Sequence, residues 1–187
     1  MGKIVVTEFI SLDGVAEAPG GEDFKYPGWS FEFDRGAEGE QFKQDEAVSA
    51  DALLLGRRTY EGFASAWPAY DGEFADKYNG MPKYVVSSTL TNPEWNNTQV
   101  LSGDLADVVT RLKNEVRGDI SVPGSIRLVQ GLLERDLVDE LHLMTFPVLL
   151  GTGQRLFVDT TDRSVWKLAE ATTVGEGVLI SVLQRKR

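Results

Sequence analysis

Leu53-Leu54-Leu55-Gly56-Arg57-Arg58-Thr59-Tyr60-Glu61 passes from an uninterrupted apolar run to a helix start within two residues. Such a run, beginning at Ala52, suits a strand covered on both faces, and strands of that kind belong to parallel sheets flanked by helices. A glycine between strand and helix lets backbone amides approach an anion, and the helix N-terminus adds partial positive charge. Arg57 and Arg58 add planar cationic forks suited to phosphate, although a solvated helix start explains the pair equally well.

Strand and helix patterns alternate outward from this junction. Lys3–Ile10 reads as a first strand, Glu38–Ser49 as a helix, Arg57–Ala64 as a helix and Lys83–Ser87 as a strand. Leu105–Val116 carries an apolar helical stripe behind Asp104 as N-cap. Ile120–Val122 is a short strand and Gly124–Arg135 a helix. Beyond it the pattern turns strand-like over Leu137–Leu150 and again over Arg155–Val158, and Trp166–Thr173 with Val178–Arg185 brackets Gly175-Glu176-Gly177 as a hairpin. The expectation is one α/β domain over residues 1–187, with a mostly parallel central sheet, antiparallel C-terminal strands and flanking helices.

A second strand-to-helix junction, Val122-Pro123-Gly124-Ser125-Ile126-Arg127, repeats the chemistry of the first. In open α/β sheets ligands bind in the crevice at the carboxyl ends of the strands. Two such turns, neither a Walker loop nor a GxGxxG, fit one extended ligand with phosphates at two points. Ser87 and Ser88 close a third strand at the same edge, where a dinucleotide with an extra 2′-phosphate would reach them, although strand-end capping is the blander reading.

The chain has 187 residues and a formal net charge of −10, which disfavours nucleic acid and anionic membrane surfaces as partners. The excess is local: residues 1–56 hold 4 Lys/Arg against 12 Asp/Glu, and the arginine pair follows directly. Without cysteine there is no disulfide, thiolate nucleophile or Cys-ligated metal, and His142, the one histidine, cannot form a multi-His metal site. No apolar run approaches the roughly 18 residues of a membrane span and no signal segment appears, so a cytoplasmic protein is expected.

Leu54–Glu61, Gly124-Ser125, Gly131–Leu141, Pro147–Gly153 and Ser11-Leu12-Asp13-Gly14 together resemble the reductase domain of bacterial bifunctional riboflavin-biosynthesis proteins and its stand-alone relatives of dihydrofolate-reductase-like fold. The resemblance covers about residues 3–185. It implies a three-layer dihydrofolate-reductase-like fold that binds NADPH, with Gly56, Arg57, Arg58 and Thr59 at the 2′-phosphate and pyrophosphate side. It places Ser87 and Ser88 near the adenosine phosphate, and Gly124, Ser125, Ile126 and Arg127 at the pyrophosphate. Ser11 and Asp13 would border nicotinamide and substrate, and Glu140 matches a substrate-recognition position.

The implied reaction is hydride transfer to a ribosylaminopyrimidine phosphate or a pteridine-like analogue. One departure matters: the lysine that these enzymes carry four residues before the Ser-Leu-Asp-Gly serine is Thr7 here. The cofactor carries the hydride chemistry and the protein a proton source. Asp13 is the first candidate acid and Glu40, on the helix before the Gly-Arg-Arg-Thr strand, the second. Phe24–Phe33 concentrates five aromatics in ten residues, with Trp29 read as a substrate wall or as a satellite core. Family members are commonly dimers through C-terminal sheet regions, so a homodimer is expected. An NADP(H)-binding sensor without turnover is the alternative, and a phosphoryl-handling enzyme, lacking a Walker lysine, ranks last.

Overall fold

A computed structural model describes residues 1–159 and 162–186. Eight strands form one sheet in the order β4-β3-β2-β5-β1-β6-β8-β7, and only β8 runs against its neighbours. In chain order the elements are β1 (Lys3–Ser11), α1 (Gly36–Ser49), β2 (Ala50–Gly56), α2 (Arg57–Ala66), α3 (Glu73–Gly80) and β3 (Lys83–Val86). They continue with β4 (Thr98–Leu101), α4 (Leu105–Glu115), β5 (Asp119–Pro123), α5 (Ile126–Glu134), β6 (Glu140–Phe146), β7 (Trp166–Val174) and β8 (Val178–Arg185). This is the α/β architecture expected from the alternating pattern, antiparallel only at its C-terminal edge.

The two faces of β1 serve two layers. Ile4, Val6 and Ile10 join Val109 and Leu112 of α4 and Val129 and Leu132 of α5 in one apolar cluster. Each such buried side chain contributes about 1.5–3 kcal/mol relative to exposure. The other face carries Thr7 and Phe9 toward α1, a helix with only Gly39 and Ala47 fully buried that meets the sheet through polar groups. On α4, Asp104 caps as expected, accepting from the amides of Ala106 and Asp107.

Some boundaries differ from the sequence reading. Arg155–Val158 is not a strand: Arg155 makes a single bridge to Val15. The strand-like stretch after Leu137 contracts to Glu140–Phe146, because Pro147 brings no N–H to a ladder and Val148 turns back onto the Phe146 carbonyl. Helix α5 starts at Ile126 rather than Gly124, since Gly124 (φ +61) and Ser125 (φ +67) are left-handed. The β7–β8 turn docks onto the chain before α1: the Glu176 amide donates to the Asp34 carbonyl at 2.8 Å, and the Asp34 amide to the Glu176 carboxylate at 2.9 Å.

Candidate functional site

The β2–α2 and β5–α5 turns meet. The Gly56 amide donates to Ser125 Oγ at 2.9 Å, and a Cβ on Gly124 would lie 3.3 Å from Thr59 Cγ2. Because Ser125 spends its hydroxyl on the neighbouring strand, it does not cap its own helix, and α2 likewise has no side-chain cap. Two helix N-termini with uncapped first-turn amides therefore stand side by side, an arrangement suited to anions. Ser125 holds a backbone conformation that costs an L-residue on the order of 1–2 kcal/mol, and such residues cluster at ligand sites.

Around this pair the charged groups are unequal. Arg57 is tied to Glu61 at 2.9 Å, whereas Arg58 and Arg127 are exposed and form no ion pair among the described residues. Ile126 is half-buried at the first turn of α5. Ser87 lies just past Val86, whose register partner is Gly56, but its Oγ already accepts from the amides of Thr89 and Leu90; Ser88 is exposed.

Beside these turns the sheet opens. The β1–β5 ladder ends at Thr7–Pro123, whereas β1 remains paired with β6 through Ser11–Phe146. Residues Glu8–Ser11 thus border a gap next to Gly124. Glu8 shares the face of Val6 and Ile10 and is almost fully buried; its Oε1 has no hydrogen-bond partner, and desolvation pushes its carboxyl up to about 8.

Both candidate acids are already engaged by neighbouring groups. Asp13 accepts from Ser11 Oγ at 2.6 Å and from the amides of Leu150 and Gly151 at 3.1 and 2.9 Å. The Ser11 hydroxyl, with the two amides, holds the Asp13 carboxyl down at about 2, so it is an ionised loop clamp and a poor proton source. Ser11 is itself buried, its hydroxyl shared between Asp13 and the Val15 amide, which leaves no free hydroxyl for substrate. Glu40 projects away from the sheet, 63% exposed and paired with Arg35 at 2.6 Å. Trp29 is no exposed wall: its ring packs edge-on against Phe146 and its N–H donates to the Glu17 carbonyl.

The acid that α1 presents to the sheet is Glu46. Its Oε2 accepts from Lys43 Nζ and, at 3.0 Å, from the Thr7 hydroxyl; its Oε1 lies 2.7 Å from His142 Nδ1. Lys43 Nζ also donates to Thr7 Oγ1 at 2.7 Å, so an ammonium reaches the β1 position where the resembled reductases carry lysine. Lys43 and Arg35 stand 5.3 and 5.1 Å from the centre of the Phe9 ring. Glu140 belongs to this group rather than to the crevice: it opens β6 opposite Val5, six residues or roughly 20 Å upstream of Ser11. It pairs there with Lys3 at 2.9 Å and faces His142 Nε2 at 3.3 Å.

Lys43, Glu46 and His142 were not chosen as site residues from sequence. The signals were the Lys-x-x-Glu spacing on α1 and the alternation that puts Glu140, His142, Met144 and Phe146 on one face of β6. A surface depression of about 730 Å³ beside Tyr60, Trp95 and Asn96 reaches Glu61, the partner of Arg57, but no residue of the Lys43–Glu46–His142 group. Among the described residues no cluster suited to a metal ion is formed, and no helix is long and apolar enough to cross a membrane.

Comparison with known proteins matches the RibD C-terminal domain family over residues 2–180. The chain is 27% identical to the uncharacterized protein YwjB of Bacillus subtilis over 177 residues, covering 94% of each. It is 25% identical to YyaP of the same organism over 182 residues, covering 95% of this chain and 92% of that one. Among solved structures it resembles a putative riboflavin biosynthesis protein from Shewanella sp. PV-4, with TM-score 0.81, 23% identity and 99% of each chain covered. It also resembles Acinetobacter baumannii RibD, with TM-score 0.66 and 14% identity, spanning all of this chain and 58% of that one. The chain belongs to the RibD C-terminal domain family, that of riboflavin-pathway-type reductases.

Proposed function

We propose that the protein is an NADPH-dependent reductase of a small planar heterocycle, of the 5-amino-6-(5-phosphoribosylamino)uracil or pteridine type. The observation that carries this reading is the junction of Gly56, Thr59, Gly124 and Ser125, where two uncapped helix N-termini converge beside Arg58. A side chain at Gly124 would press on Thr59, and φ +61 there favours glycine, as a surface that admits a pyrophosphate closely requires. Arg58, exposed and unpaired among the described residues, would hold the 2′-phosphate, and the amides of Ile126 and Arg127 the pyrophosphate. NADPH, when bound, supplies the hydride.

The chain's own residues then position the substrate and supply a proton. Thr7, Lys43 and Glu46 form a polar group between α1 and the sheet, with Lys43 over the Phe9 ring. The cations near it are already paired, Arg35 with Glu40 and Lys43 with Glu46. That pairing favours the heterocycle itself over a phosphate tail as the group recognised there.

Fluorescence titration with NADPH and NADH tests the cofactor: clear preference for NADPH is expected, and equal affinity would remove the role given to Arg58. A substrate screen following NADPH absorbance separates a reductase from a sensor. The same reading includes a cytoplasmic location and a homodimer through the β7–β8 edge, where Leu168 and Leu179 are exposed.

A further inference from the structure

A continuous line of hydrogen-bonding groups crosses the α1 face of the sheet. It starts at Lys3, more than half exposed, and runs through Glu140 to His142 Nε2, then from His142 Nδ1 to Glu46, and ends at Thr7 and Lys43 against the Phe9 ring. Both imidazole nitrogens face carboxylate oxygens, so both carry hydrogen only when the ring is an imidazolium.

We propose that His142 holds the proton consumed in the reduction and passes it through Glu46 to the Thr7–Lys43 end of this line, beside the Phe9 ring. The proposal rests on the reductase reading and assigns it a proton path. The balance is simple: substrate C=X receives a hydride at carbon from the reduced nicotinamide, the π pair moves to X, and X takes one proton. Glu46, a carboxylate at rest, takes the proton from Nδ1 of His142 and passes it on to X. Water at the exposed Lys3–Glu140 end returns it to Nε2. His142 does not touch substrate; it is a positioning residue acting through Glu46.

The groups that bear on the imidazole come from every strand and helix around it. Glu46 and Lys43 approach from α1, Glu140 lies on its own strand, Lys3 belongs to β1 and Asp119 to β5; β8 opposite presents Val182. Desolvation opposes the charged ring, but the hydrogen bond and charge of Glu46, then of Glu140, outweigh it and hold His142 above its ordinary 6.5. Desolvation pushes the Glu46 carboxyl up, but Lys43 and His142 outweigh it and hold it below its ordinary range, so the imidazole takes the proton in preference to the carboxylate. As pH rises through the raised value of His142, the store empties.

The single histidine makes the test direct, because its imidazole gives one resonance pair to follow by NMR. In the protein with NADP⁺ bound, the ring is expected to titrate above 6.5, and Glu46→Gln to lower that midpoint more than Glu140→Gln. With NADPH and 5-amino-6-(5-phosphoribosylamino)uracil or dihydrofolate, His142→Gln is expected to lower kcat by roughly 10- to 100-fold and remove the alkaline limb of its pH profile, with the dissociation constant of NADPH unchanged. An imidazole titrating at or below 6.5, or a His142→Gln profile that keeps its alkaline limb, overturns the relay while leaving the reductase reading in place. A raised imidazole with no NADPH binding overturns the reductase reading, and the relay with it.

Discussion

Gly56 and Ser125 are joined across the ends of two adjacent strands, the amide of one donating to the hydroxyl of the other at 2.9 Å. The bond fixes the separation of the two helix N-termini. Ser125→Ala removes the acceptor and leaves a part-buried N–H unpaired, which costs about 1–2 kcal/mol. Thermal unfolding is expected to show that loss, and NADPH titration a weaker complex than the stability change alone explains.

Arg57 and Arg58 are adjacent but differ in their attachments. Arg58→Ala should weaken NADPH by about 1.5–3 kcal/mol and leave NADH nearly unaffected. Arg57→Ala should matter less, since Glu61 already engages that guanidinium. Equal effects of the two changes would show that the phosphate is bound elsewhere.

Asp13 contributes stability as a carboxylate. Its folded-state value near 2 lies below the ordinary 3.8, so the contribution is complete above 3.8 and disappears as pH falls toward 2. Asp13→Asn is expected to cost about 1–3 kcal/mol at neutral pH and nothing at the acid end. Urea unfolding at a series of pH values checks this.

Glu8 behaves in the opposite sense. Its carboxyl is neutral in the folded protein up to about 8, while in the unfolded chain it ionises near 4.5. Folding therefore loses stability as pH rises from 4.5 to 8, and the full cost applies above that. Glu8→Gln should be more stable than the parent by about 2–4 kcal/mol at pH 8, with the difference fading toward pH 4.5. A difference that does not change with pH would rule out the buried acid.

The β7–β8 hairpin exposes Leu168 at 55% and, further along opposite Thr173, Leu179. Light scattering should return about twice the 20.6 kDa chain mass, and Leu168→Glu should return the monomer. A monomeric parent would remove the homodimer.

The parallel layers were legible because β1, β2 and β5 are written in β-branched and aliphatic runs that admit little else. The turn at Gly124 was legible because its φ of +61 demands a residue that stands out, whereas Gly56 is extended and its junction was read from the apolar run that ends there. The acid on α1 was not. That helix has no apolar stripe to announce which side faces the sheet, so Glu40 and Glu46 look equivalent until packing separates them. Glu140 was recognised by its neighbours in sequence, but strand direction sets it at the amino end of β6, away from the crevice. Helix α3 and strand β4 escaped because Glu73–Gly80 and Thr98–Leu101 are short and mixed in polarity.

The place of β1 also governs when the fold can assemble. Among the described residues the strand Lys3–Ser11 pairs with Asp119–Pro123 and Glu140–Phe146 alone, so β1 waits for partners made more than a hundred residues later. Until then Ile4, Val6 and Ile10 have no layer to enter, and loop closure over that span must precede the reward. Refolding from denaturant should consequently be slow for a chain of this length, and the nascent N-terminal half is the form most exposed to aggregation.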